Sequence, residues 1–165
     1  MSNPFILIAR IRVKDGKIND YLKIANEVDN LVKSSEPDML IHTFDQDPND
    51  QNEFTWTEVY RNSSAMIKHI NNPPVKSYVL KHEELAEKFE IEVYGNLTQE
   101  TIEAINNLNV PFKHFKTTSV GYFREDIFSN NDHEEKLDRL NDQFSEEVTL
   151  ENCLLYTSPS PRDCR

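Results

Sequence analysis

Apolar residues along this chain switch repeatedly between a repeat of two and a repeat near 3.6, the signature of alternating strands and helices. Phe5–Val13 (FILIARIRV) reads as a first strand. Phe5, Leu7, Ala9 and Ile11 share one face, and Ile6 and Ile8 the other, so its first half is apolar on both sides. A strand of that kind belongs to a sheet that is covered twice. Asp15-Gly16 makes a turn. Ile18 to Ser35 then repeats apolar residues at helical spacing: Ile18, Tyr21, Leu22, Ala25, Val28, Leu31 and Val32. Glu36-Pro37 ends that helix, because the residue before a proline disfavours the helical region.

Met39–Phe44 reads as a second strand and Asp45–Asn52 as a polar loop. Glu53–Tyr60 is a third strand, paired with the second as a hairpin. Phe54, Trp56, Glu58 and Tyr60 share one of its faces; Thr55, Thr57 and Val59 share the other. Asn62 or Ser63 caps a short helix that stops at Asn72-Pro73-Pro74. A further apolar stripe, Val75, Tyr78, Val79, His82, Leu85, Ala86 and Phe89, predicts another helix, and Ile91–Tyr94 a fourth strand ended by Gly95. Residues 1–95 are therefore expected to form one α+β domain. It is a ferredoxin-like, four-stranded antiparallel sheet with its helices on one face. A second copy of the same sheet would cover the other face and give a homodimer.

Residues 96–124 are too few to form a core of their own and read as an extension packed on the first domain. It holds a short helix at Thr98–Leu108 and short strands at Val110–Phe115 and Thr117–Phe123. Residues 125–152 are acidic and suit one exposed amphipathic helix. Residues 153–165 are expected to be disordered. Their string CLLYTSPSPRD (Cys153–Asp163) resembles an in-frame translation of a sequencing adapter, which leaves the natural C-terminus undefined. Cys153 and Cys164 both lie there, so the rest of the chain offers no disulfide, thiolate nucleophile or Cys-ligated zinc.

The formal charge of −11 argues against nucleic acid and anionic membranes, which require clustered Lys and Arg. No apolar run reaches the about 20 residues of a membrane span. No secretory signal opens the chain, so a cytoplasmic location is expected. With three glycines and no GxGxxG or Walker pattern, no phosphate loop is expected. The histidines lack HxH or HExxH spacing, so no metal site is expected either.

One group of residues carries chemistry. Eleven positions after Glu58 comes His69, on the helix that follows the third strand. The carboxylate, the imidazole and the aromatics Trp56 and Tyr60 can line a single pocket. His69 would act as general base and Glu58 would assist it, because a carboxylate in an apolar strand needs a partner. Trp56 and Tyr60 would stack a flat ligand, and His42, on the neighbouring strand, would face the same cavity. Competing roles are structural: a histidine bonded to a carbonyl or to Glu58, a Glu58 ion pair with Arg10 or Arg12, and aromatics that only fill the core. His82, on an apolar stripe, reads as a core histidine, while His114 and His133 carry no expected chemistry.

The order of elements and the strings FILIARIRV, SSEPDMLIHTF, FTWTEVYRNSSAMIKH and NNPPV, with the helix at Tyr78–Leu85, resemble the antibiotic biosynthesis monooxygenase (ABM) domain family over Phe5–Gly95. The resemblance implies a dimeric α/β barrel made of two ferredoxin-like sheets. It implies a monooxygenase that oxidises a small quinol- or polyphenol-like substrate with no cofactor. The alternatives within the same fold are a small-molecule isomerase and a non-catalytic ligand-binding dimer. Haem-degrading members use a first-strand asparagine and a third-strand tryptophan. Here Ala9 or Arg10 and Tyr60 stand at those places, which speaks against haem. The Pro-His pair of the signalling-sugar isomerases is replaced at Pro74.

Overall fold

The alternation in Phe5–Val13 becomes β1, the central strand of the sheet. A computed structural model describes residues 3–123. After β1 come α1 (Ile18–Ser35), β2 (Met39–Gln46), β3 (Glu53–Tyr60), α2 (Ser63–Asn71) and α3 (Pro73–Leu85). The chain continues through β4 (Ala86–Tyr94), α4 (Gln99–Asn106) and β5 (Phe112–Phe115). The sheet runs β2-β3-β1-β4-β5. Its first four strands pair antiparallel, in the ferredoxin-like α+β order, and β5 adds a fifth strand parallel to β4.

The odd-numbered side chains of β1 are all buried, and so are Phe54, Trp56, Glu58 and Tyr60 of β3. Tyr21, Ala25, Val28 and Val32 of α1 close over that face. Their spacing of three and four residues puts them on one side of the helix. The outward face of the sheet stays open, with Ile6 42% and Ile41 50% exposed. Among the described residues no helix is long and apolar enough to cross a membrane.

Local chemistry fixes the joins. The Asn62 side chain accepts a hydrogen bond from the Ala65 N–H at 3.0 Å and so starts α2. Pro73 and Pro74 occupy the first turn of α3, where a missing N–H costs nothing. Gly95 ties three strands together. Its N–H donates to the Phe115 carbonyl at 2.9 Å and its carbonyl accepts from His114 Nε2 at 2.8 Å. Its φ is +142°, and a Cβ placed there would lie 2.5 Å from Phe5 Cβ.

Three expectations are corrected. The stripe read as helical to Phe89 ends at Leu85, and Ala86 and Phe89 belong to β4. Residues 117–123 form no strand. Glu58 does not pair with Arg10 or Arg12. Arg10 binds Glu92 at 2.9 Å, and Arg12 binds Asp50, Glu53 and Glu87. Both arginines sit at the even positions of β1, on the open face, whereas Glu58 is turned toward the helices. The acidic stretch 125–152, the segment 153–165 and His133 lie outside the described residues.

Candidate active site

Strand alternation turns Trp56 and Glu58 inward, and the β2–β3 register sets His42 directly opposite Glu58. From α2, His69 joins Ser63, Ala65 and Met66 on the buried side. A cavity of about 350 Å³ opens between sheet and helices. His42, Trp56, Glu58 and His69 make one wall of it; Val28, Met66, Val75, Val79 and Phe89 are among its apolar lining. Tyr60 is not on that wall. It is fully buried behind it and stacks on Phe5, with ring centroids 5.2 Å apart.

His69 and Glu58 line the same cavity, yet the hydrogen-bond partner of His69 is Glu36. His69 Nδ1 donates to Glu36 Oε2 at 2.9 Å, and Glu36 Oε1 accepts from the Asn72 amide at 2.6 Å. A carboxylate can only accept, so the proton sits on Nδ1 and the lone pair on Nε2. Among the described residues Nε2 has no hydrogen-bond partner. Burial alone would push the Glu36 carboxyl up. The hydrogen bond from His69, the charge that ring carries when protonated, and the Asn72 amide outweigh it and hold the group below its ordinary value. An imidazole whose Nδ1–H is held by a carboxylate, with Nε2 open in an apolar hollow, is arranged to take a proton.

Glu58 accepts the Tyr60 hydroxyl at 2.5 Å and lies 3.7 Å from His42 Nε2. Full burial would raise its carboxyl, but His42, the Tyr60 hydroxyl and the charge His69 carries when protonated together hold it below its ordinary value. His42 Nδ1 bonds Asp29 Oδ1 at 2.8 Å. The His42 ring stacks on Trp56 at 4.2 Å and 7°, and its centroid is 6.2 Å from that of His69. Among the described residues no group of three or more His, Cys, Asp or Glu could hold a metal ion.

Sequence reasoning missed Glu36, Asp29 and Tyr78. Glu36 had a signal: it falls four residues after Val32 and so continues the buried stripe of α1. Tyr78 lies on the predicted α3 stripe and lines the cavity. Its hydroxyl accepts Trp56 Nε1–H at 2.9 Å and meets Tyr21 Oη at 2.5 Å, and Tyr21 donates to His82 Nδ1 at 2.6 Å.

That chain makes His82 a neutral core acceptor, and its pH response follows. Burial, reinforced by Lys14, pushes the imidazole down to a pKa of about 4. In the unfolded chain it titrates at about 6.5. Between those values the unfolded state holds the extra proton. Stability present above pH ~6.5 is therefore lost as the pH falls toward ~4, by on the order of 3 kcal/mol. Urea unfolding of His82→Gln is expected to show a correspondingly flatter decline over that window. An unchanged slope would remove His82 as its source.

Residues 4–80 match the family model described as antibiotic biosynthesis monooxygenase. Glu36, His42, Glu58 and His69 all lie inside the match. An uncharacterized protein of Synechocystis sp., sll1783, is 27% identical over 101 residues, which cover 61% of this chain and 68% of that one. Among solved structures, PA3566 of Pseudomonas aeruginosa is similar at 23% identity and TM-score 0.53, over 59% of this chain and 98% of that one. A candidate antibiotic biosynthesis monooxygenase of Caulobacter crescentus is similar at 18% identity and TM-score 0.54, over 56% and 88%. At such identities the structural likeness establishes the fold. Over residues 4–80 this chain is thus similar in sequence to the antibiotic biosynthesis monooxygenase (ABM) family, and its fold agrees with that likeness.

Proposed function

We propose that this protein is an ABM-type monooxygenase that oxidises a small, flat, electron-rich molecule of the quinol or polyphenol class, without a bound metal or flavin. The observation that carries the reading is His69, backed by Glu36, with Nε2 open in an apolar cavity of about 350 Å³. That volume lies at the lower end of small-molecule sites. His69 Nε2 takes the proton of a substrate hydroxyl. The resulting anion is electron-rich enough to pass one electron to dioxygen. Glu58, held ionised by its neighbours, stabilises the imidazolium formed at His69. Trp56 forms a flat wall for the ring, and Tyr60 acts through Glu58. The protein works as a cytoplasmic homodimer, paired through the sheet face that exposes Ile6 and Ile41.

Two imidazoles facing one cavity at 6.2 Å also suit an isomerase, in which one ring removes a proton and the other returns it. Incubation with a panel of quinols and polyphenols under ¹⁸O₂ separates the readings. The monooxygenase takes up oxygen and places one labelled atom in the product. Isomerised product without uptake establishes the isomerase, and binding without turnover leaves a ligand-binding dimer.

A further inference from the structure

We propose that Asp29 is a positioning residue of this site: by hydrogen-bonding Nδ1 of His42 it makes His42 the proton donor that answers the base His69. The inference rests on the oxygenase reading above and extends it to the acid of the reaction.

The cavity holds two carboxylate–imidazole pairs of opposite design. In the Glu36–His69 pair one nitrogen is held and the other is open. In the Asp29–His42 pair both nitrogens meet carboxylates, Nδ1 at 2.8 Å from Asp29 and Nε2 at 3.7 Å from Glu58. Carboxylates only accept, so a ring between two of them is favoured with hydrogen on both nitrogens. His42 also belongs to two spaces. It lines the inner cavity with Glu58, and it lines an outer groove of about 190 Å³ with Asp29, Leu22 and Phe44. The parallel stack on Trp56 fixes the ring plane between them. The charged and titratable groups facing His42 are Asp29 from α1, Glu58 from β3 and His69 from α2. Burial disfavours its cation, but the bonds and charges of Glu58 and Asp29 outweigh that and raise it.

The chemistry needs such a donor. After the substrate anion passes one electron to dioxygen, the two radicals join at a hydrogen-bearing ring carbon and leave a peroxide anion. The Nε2–H bond of His42 breaks as an O–H bond forms on the distal oxygen. Loss of the carbon's proton to His42 Nε2 then accompanies O–O cleavage. The carbon becomes a carbonyl, and the departing hydroxide takes the proton stored on His69 and leaves as water. Both imidazoles end as they began. The substrate supplies all four electrons, losing two hydrogens and gaining one oxygen.

The test uses the full chain with Asp29→Asn and Asp29→Glu. The Asp29 side chain is 38% exposed, so neither change should prevent folding, and circular dichroism checks that. In ¹⁵N NMR the His42 titration midpoint should fall in Asp29→Asn, through the loss of one nearby opposite charge. Turnover with the hydroxy-aromatic panel should drop roughly 10–100-fold in kcat with KM almost unchanged, as for partners that orient a working histidine. Asp29→Glu should restore most of it. A His42 midpoint that does not move, or a loss carried by KM, overturns the assignment of Asp29 alone. Absence of oxygen uptake by the wild-type protein with every substrate overturns the oxygenase reading and the donor role with it.

Discussion

His69→Gln is expected to lower oxygen-dependent turnover by roughly 10²–10⁴-fold, the span that a positioned general base contributes, while the protein stays folded. Glutamine is the informative replacement because its amide N–H can still donate to Glu36. The carboxylate keeps a partner, and only the basic lone pair is lost. His69→Ala would instead leave Glu36 Oε2 without its donor, with only the Asn72 amide on the other oxygen, and cost about 1–3 kcal/mol of stability, confusing the two effects. Steady-state oxygen uptake, with thermal unfolding measured beside it, checks the expectation. A His69→Gln protein with undiminished kcat would remove His69 as the base.

Gly95→Ala is expected to destabilise the fold by about 4 kcal/mol, with the sheet itself as the casualty. Alanine at φ +142° is strained in a region only glycine visits freely. The new methyl would also meet Phe5 Cβ at 2.5 Å, and Phe5 is anchored in β1, not at the end of a flexible side chain. Strain of this kind costs about 1–3 kcal/mol and overpacking adds about as much. Urea denaturation reads the loss directly. A midpoint near that of the wild type would mean that β1 and the β4–β5 junction can part without penalty. Gly16 offers a control: its φ is also positive, but nothing lies within 4 Å of an added Cβ, so Gly16→Ala should cost less.

Much of the frame was legible where periodicity was unambiguous. The bounds of α1, β1 and β3 follow from stripes that fit one period only. The α3–β4 border was not, because Ala86 and Phe89 extend a repeat of three and four while also fitting an alternating strand. β5 was half legible: its residues look like a strand, but parallel pairing to β4 is decided by where α4 returns the chain. For the site, His69, Glu58, Trp56 and His42 were visible as polar or aromatic residues on inward faces. Which carboxylate holds which imidazole was not. Glu36 is 33 positions before His69, and Asp29 is 13 before His42. Such pairings belong to the packing of α1 on the sheet, not to local sequence. Nearness along the chain makes Glu58 the expected partner of His69. Its position opposite His42 on the adjacent strand commits it elsewhere.

The fifth strand also governs how this molecule avoids its own kind. With Phe112–Phe115 zipped along Ile91–Tyr94, that half of the β4 flank no longer offers its amides and carbonyls to a stray chain. What remains at that border is a four-residue ribbon that includes Lys113, and the Ala86–Glu90 run of β4, which carries Glu87, Lys88 and Glu90. The opposite border, β2, is irregular near Met39 and ends in Asp45 and Gln46. Charged, short or kinked margins are poor templates for the endless edge-to-edge addition of strands that builds fibrils.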